Sequence, residues 1–443
     1  MGTAAPPDQG QQDRADLHRA TPVAVSLSSQ RTAHIIGAGM AGLSAGIEFA
    51  RQGWSVALSD SAPRAGGRCR SYHDKALNQV IDNGNHFVFS GNQAVNHFLG
   101  LIGTADRLEG PAHADFSMLD LRDGTRWTLS VNDSPIPLWM LDKARRAPGT
   151  TLRDHLALLR LALTRPGKTT IGDLLRNDGL FWERVVDPMM LAVLNCKPAD
   201  GSAWLAGRFL IESFARGGQA CRTMVAMPTL DAVFVDPALD YLRARGADPR
   251  FSTRLRAMSF AGDRVTGLDF GEGVEAVDDA PVILAVPPWV AADLVPDLIV
   301  PTEFCSILNA HYAVAPPPGA PPITALIGAT AQWVVCHGDR ISVTISGADD
   351  VIDQDREDLA RRIWDEICAT LGLGLSAPLP AWQIVKEKRA TFAATPAQDA
   401  RRPGTATRWK NLFLAGDWTQ TRLPATIEGA LRSGASAARL AMR

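Results

Sequence analysis

The residues best placed to do chemistry stand near the start of the chain, in Gly37-Ala38-Gly39-Met40-Ala41-Gly42. Three glycines at this spacing suit a pyrophosphate. Gly37 permits a tight turn, Gly39 lets the backbone approach the phosphates, and Gly42 lets the next helix lie close on its strand. The helix start at Met40 and Ala41 offers free N–H groups and a partial positive charge to the anion. Such a turn needs a strand before it and a helix after it. Thr32-Ala33-His34-Ile35-Ile36 reads as a buried parallel strand, and Leu43, Ile47 and Ala50 share one face of a helix over 41–52. Gly53 stops that helix, and Ser55-Val56-Ala57-Leu58-Ser59 forms a second strand ending at Asp60. There a carboxylate can accept hydrogen bonds from an adenosine ribose, with Ser61 beside it. This order predicts dinucleotide binding on a Rossmann-like α/β domain, and the glycines alone do not separate NAD from FAD.

Two further segments do. Shortly after Asp60 comes Gly66-Gly67-Arg68, where paired glycines bring N–H groups close and Arg68 supplies a fixed guanidinium for a pyrophosphate. At the other end, the apolar strand Asn411-Leu412-Phe413-Leu414-Ala415 runs into Gly416-Asp417, and Ala425-Thr426-Ile427 opens a small-residue helix through Ser433, Gly434, Ala437 and Ala438. Together these resemble the FAD-dependent amine oxidase and phytoene desaturase superfamily. The resemblance implies non-covalent FAD, a discontinuous Rossmann-like FAD-binding domain, and an α+β substrate-binding domain. It places Asp417 on the ribityl chain, the N-terminus of the last helix at the flavin N1/O2 edge, and the backbone of Leu255 against the adenine.

Finer similarity picks out one branch, the hydroxysqualene dehydroxylases. It rests on Asp82-Asn83-Gly84-Asn85-His86, Phe181-Trp182, Leu194-Asn195, Gly328 to Trp333, Glu387-Lys388-Arg389-Ala390-Thr391-Phe392 and Ala415 to Thr419, and it runs from about Ala33 to the end. The branch usually has Gln at Asn85, Glu at Asp60 and a small polar residue at Cys196. It implies reductive removal of a hydroxyl from hydroxysqualene, a C30 allylic alcohol, giving squalene with an external reductant for the FAD. Gly84 and Asn85 then stand near the flavin, and Phe181, Asn195, Trp333 and Phe392 wall an isoprenoid pocket. The aromatics read equally as plain core.

The reaction needs a proton donor, and two residues are candidates. His86 lies in the loop expected near the flavin, and its ordinary pKa of about 6.5 suits acid catalysis. It reads equally as a histidine that shapes the loop. Lys388 falls where relatives place a lysine near flavin N5, or else belongs to a solvated charge cluster. A flavin amine oxidase is one rival, but such enzymes usually carry an aromatic at the position of Thr426. A phytoene-type desaturase is the other, since an apolar tunnel serves both.

The length of 443 residues suggests more than one domain. The layout reads as a flexible tail over 1–30, an FAD-binding domain over 31–108, 218–290 and 405–443, and a substrate domain over 109–217 and 291–404. Expected elements include helices over 152–163 and 355–371, strands over 253–258 and 341–345, and a plain turn at Gly271-Glu272-Gly273. A net charge of -2 excludes nucleic acid as a partner. The six cysteines are scattered without metal-ligand spacing and fit a reducing cytoplasm. No apolar run is long enough to span a bilayer. From Leu138 to Lys168, however, seven Lys/Arg interleave with Leu138, Trp139, Met140, Leu156, Leu159 and Leu163. That pattern predicts peripheral attachment to an anionic membrane surface, or else a core-facing helix with a solvated basic face.

Overall fold

A computed structural model describes residues 1–2, 31–374 and 377–443, and in it the strand Thr32–Ile36 lies inside a four-stranded parallel sheet. The order across this sheet is Leu412–Leu414, Val282–Leu284, Thr32–Ile36, Ser55–Ser59. Ile283 sits between Ile35 and Phe413, and Ile35 meets Leu58 on its other side. Such strands are apolar throughout because helices cover the sheet, which removes any alternation. Chain segments far apart in sequence thus build one Rossmann-like sheet. The expected tail over 1–30 lies outside the described residues, except for its first two.

The small residues of the last helix have a packing role. Helix Ile427–Ala441 lies against helix Met40–Arg51, and a Cβ added at Gly434 would run into the backbone carbonyl of Ala41. The contact is close enough for Ser44 Oγ to donate to the Leu431 carbonyl at 2.8 Å. Glu428, in the first turn of the last helix, is buried and accepts from the N–H groups of Ala94 and Val95 at 3.1 and 3.0 Å. It thereby satisfies the free N-terminus of helix Gln93–Ile102.

A second, seven-stranded sheet runs Trp382–Phe392, Phe304–Tyr312, Ile341–Ser346, Trp333–Cys336, Ile323–Ile327, Ala114–Asp120, Thr125–Val131. Its neighbours are antiparallel except for Ile323–Ile327 beside Ala114–Asp120. Helix Arg356–Leu371 covers one face with Leu359, Ile363, Trp364 and Ile367 against Leu308, Val343 and Ile345. Asp355 caps this helix by accepting from the N–H groups of Glu357 and Asp358, and Gly372 ends it at φ +68°.

Two expected elements differ. The helix over 152–163 is broken into Leu152–Ala157 and Leu159–Ala162, because Leu158 and Leu161 bond three residues back and tighten the turn between them. The strand over 253–258 starts only at Ala257, where pairing with Arg264–Asp269 begins. Gly271-Glu272-Gly273 is a hairpin turn between Arg264–Asp269 and Val274–Ala276.

Candidate FAD site and apolar cavity

One cavity of about 1090 Å³ gathers most of the residues the sequence singles out. At one end it is walled by Gly37, Gly39, Met40, Ala41, Asp60, Ser61, Gly67, Arg68 and Leu255. The C-terminal motif joins them there with Gly416, Asp417, Ala425, Thr426 and Ile427. Gly84, Asn85 and His86 line the same space, as do Asn195, Trp333 and Phe392.

The backbone suits a phosphate. Gly37 has φ +105°, and a Cβ there would strike the Ala285 carbonyl. Gly42 faces the turn rather than the cavity; a Cβ on it would strike the Gly37 carbonyl, so it sets how closely the helix approaches. Gly39, by contrast, has nothing within 4 Å of its would-be Cβ. As N-cap it provides no side-chain cap, and the first turn of helix Met40–Arg51 holds no acidic residue. The helix N–H groups are therefore left for an anion. Gly67 closes on Gly39, its would-be Cβ 3.3 Å from the Gly39 Cα, so the two glycine turns form one cradle. Asp60 shapes that cradle: its carboxylate accepts from Ala38 N–H at 2.6 Å and Ala62 N–H at 2.7 Å. These features fit a dinucleotide pyrophosphate and ribose.

Arg68 bonds Asp417 through one nitrogen at 2.7 and 2.8 Å and also donates to the Ala390 carbonyl. Partial loss of hydration works against its charge, but Asp417 outweighs this and raises the guanidinium's pKa. The buried Arg402 braces the Asp417 loop, donating to the Asp417 carbonyl at 3.0 Å and to Thr421 Oγ1 at 2.7 Å. Its guanidinium also lies 4.7 Å from the centre of the Phe392 ring. Sequence reasoning missed Arg402, since an arginine outside any motif carries no spacing signal.

Neither expected proton donor is well placed. Lys388 is exposed, paired with Asp353 at 2.8 Å, and does not reach the cavity; Glu387 and Arg389 face it instead. Glu387 and Arg389 share one face of the strand and Lys386 and Lys388 the other, as alternation requires; a bulge then follows, Ile307 pairing with Glu387 but Cys305 with Thr391. His86 lines the cavity, but burial pushes it down to about 4, so the ring is neutral at pH 7. Its Nε2 lies 3.3 Å from the Arg68 carbonyl, which can only accept, so the one N–H is spent there. Phe181 is not on the wall either; it packs on His155 with ring centres 5.1 Å apart, and His155 takes the lining position. Asn195 does line the cavity, but its amide is engaged with Thr391 Oγ1 at 2.9 Å and Gly347 N–H at 2.7 Å.

Much of the remaining wall is apolar, with Met189, Ala192, Val193, Phe209, Leu210 and Leu294, although Arg184 and Glu212 also line it. It continues to Pro135, Pro137, Trp139, Met140, Leu158 and Leu159. Ile136, Leu138, Leu141, Leu156, Leu159, Leu163 and Leu180 are exposed, Leu163 by 82%, and Leu156 and Leu159 also line the cavity. Trp139 is not among them; it is buried against His155. No described helix is long and apolar enough to cross a membrane. No metal-binding cluster of His, Cys, Asp or Glu occurs among the described residues.

The profile of the flavin containing amine oxidoreductase family matches residues 40–442. Among solved structures, cyclohexylamine oxidase from Brevibacterium oxydans superposes with a TM-score of 0.70 at 15% identity, over 93% of this chain and 99% of its own, a likeness of fold. Hydroxysqualene dehydroxylase from Rhodopseudomonas palustris is 49% identical over 93% of this chain and 98% of its own length. That of Zymomonas mobilis is 44% identical over 92% and 98%. The chain therefore belongs to the flavin-containing amine oxidoreductases and, within them, to the hydroxysqualene dehydroxylase family. It is an FAD-dependent oxidoreductase, and the glycine cradle, Arg68, Asp417 and the N-terminus of the last helix are the features that suit FAD.

Proposed function

We propose that this protein removes the hydroxyl of hydroxysqualene reductively to give squalene and water. The observation that carries this reading is that a cofactor cradle built from both chain ends opens into one apolar cavity. Bound FAD, once reduced by an external donor, would supply the hydride, and with it both electrons, that replaces the hydroxyl.

The chain's own residues do the rest. Gly39, Met40, Ala41, Gly67 and Arg68 hold the pyrophosphate, Asp60 and Ser61 the adenosine ribose, and Leu255 the adenine. Asp417 holds the ribityl chain, and Ala425, Thr426 and Ile427 the ring edge above the last helix. The aliphatic wall excludes water and accepts the isoprenoid arms, which bring no polar group to pair. With Lys388 on the outside and the N–H of His86 engaged, we assign Glu387, the carboxylate on this wall, to relay the proton with which the hydroxyl departs as water.

A C30 substrate dissolves in a bilayer, and two of the exposed leucines, Leu156 and Leu159, also line the cavity. Lys143, Arg145, Arg146, Arg153 and Arg160 lie among them in the chain. We therefore read this rim as a peripheral contact with anionic lipid, through which substrate enters. Anaerobic incubation of reduced enzyme with hydroxysqualene tests the reaction, with squalene as the expected product. Activity only in the oxidising direction, as desaturation of a polyene with an electron acceptor, would overturn it.

A further inference from the structure

Between the cradle and the seven-stranded sheet, buried polar side chains occupy places where aliphatic ones would pack. Asn309 on Phe304–Tyr312, and Ser342 and Thr344 on Ile341–Ser346, are each less than a tenth exposed. They form one hydrogen-bonded chain, and its direction follows from its backbone anchors. Asn309 Nδ2 donates to the Asn83 carbonyl and Oδ1 accepts from the Asn85 N–H, both at 3.4 Å, so its amide can face only one way. Oδ1 then also accepts from the Thr344 hydroxyl at 2.8 Å. With its proton committed, Thr344 Oγ1 accepts from Asn85 Nδ2 at 3.0 Å. That turns Asn85 Oδ1 toward Ser342, whose hydroxyl donates to it at 2.9 Å. Ser342 Oγ is left to accept from His337 Nε2 at 2.9 Å, which sets the tautomer of that buried ring.

An amide does not pass protons along as a hydroxyl or imidazole does, so the chain is no proton path. What it fixes is the orientation of Asn85. Asn85 lines the cavity beside Gly84, and Thr344 takes only one of its two amide hydrogens. Gly84 is required there, since a Cβ on it would lie 2.7 Å from Asn309 Nδ2 and displace the chain's anchor.

We propose that Ser342, Thr344 and Asn309 are positioning residues that lock Asn85 as an N–H donor to the ring system of the bound flavin, and so help set its reduction potential. This rests on the flavin reading above. A fixed donor to a ring acceptor favours the electron-rich reduced form over the oxidised one.

The test is the midpoint potential and visible spectrum of FAD-loaded protein. Thr344→Val keeps the side-chain shape and removes both hydrogen bonds. It is expected to shift the reduced-to-oxidised equilibrium about tenfold toward oxidised, which is about 30 mV lower for a two-electron couple. Ser342→Ala is expected to move in the same direction, and Thr344→Ser to restore the wild-type potential. The inference fails if Thr344→Val and Ser342→Ala bind FAD fully yet keep the wild-type potential, or if Thr344→Ser shifts as far as Thr344→Val. Wild-type protein that cannot be loaded with FAD would instead overturn the flavin reading beneath it, so the two failures are distinguishable.

Discussion

Arg68 and Asp417, 349 positions apart in the chain, bond each other at 2.7 and 2.8 Å on the wall of one cavity. The pair ties the second glycine turn to the start of the C-terminal motif. Asp417 is buried, while the Arg68 side chain is 42% exposed. Removing Asp417 therefore strips a partly exposed guanidinium of its partner and, on the proposed reading, the cofactor of one ligand. Loss of one charged hydrogen bond costs about 1.5–3 kcal/mol. Asp417→Ala is expected to weaken FAD binding by roughly tenfold or more, read as flavin retained after desalting. Unchanged retention would remove Asp417 from the cofactor site.

The glycines separate packing from binding. Gly42→Ala and Gly434→Ala each drive a methyl into backbone carbonyl and are expected to cost about 1–3 kcal/mol of stability. Gly39→Ala meets nothing within 4 Å, so it is expected to melt like wild type yet bind FAD poorly, its methyl standing where a phosphate would lie. Thermal unfolding of the apo-proteins and FAD titration distinguish the two effects. A Gly39→Ala protein with normal FAD affinity would contradict the cradle.

Lys388→Ala is expected to keep near-wild-type turnover, because its ammonium is paired with Asp353 outside the cavity. Glu387→Gln is expected to retain FAD but lose on the order of 10²-fold in kcat, the usual scale for a lost acid. The reverse pattern would show that the strand presents its other face during the reaction.

Much of this was legible in the sequence, for a physical reason. A pyrophosphate cradle requires glycine at particular turns, and buried parallel strands are continuous apolar runs, so Thr32–Ile36, Ser55–Ser59 and Leu412–Leu414 announce themselves locally. The reacting face was not legible. Alternation parts Lys388 from Glu387 and Arg389, but which face turns inward depends on pairing with Phe304–Tyr312, a contact about eighty residues away in the chain. Phe181 and Trp139 failed in the same way: their type suits a wall or an interface, but helix packing sent one off the cavity and buried the other. The Asn85–Thr344–Asn309 chain joins three separate segments and leaves no motif.

Burial gives the fold a pH dependence. His311 is fully buried and pushed down to about 4, by burial first and Arg340 second. Above pH 6.5 its ring is neutral in both states. Below that the unfolded chain takes up a proton that the folded chain refuses until about pH 4, so acid favours unfolding across this window. The slope is at most about 1.4 kcal/mol per pH unit. Asp231, raised to about 6 by burial, acts in the opposite direction. The contribution of His311 is thus the difference between wild type and His311→Gln in urea unfolding at pH 7.5 and 5, with the variant expected to lose less stability on acidification. Equal losses would contradict it.

The rim makes a separate demand. Leu156, Leu159 and Leu163 are exposed, and each side chain fully buried in lipid gains about 1.5–3 kcal/mol. The triple change to Gln is expected to abolish sedimentation with anionic vesicles while sparing FAD binding and melting temperature. Wild-type binding should also weaken as salt rises. Vesicle binding that survives the triple change would move the membrane contact elsewhere.

The central claim, reduced FAD facing an apolar cavity that takes an isoprenoid alcohol, is tested most directly by an anaerobic single turnover. Enzyme reduced to completion and mixed with hydroxysqualene in the absence of oxygen is predicted to recover its oxidised flavin spectrum, with one squalene formed per flavin reoxidised. Flavin that stays reduced while hydroxysqualene is recovered unchanged would contradict the account.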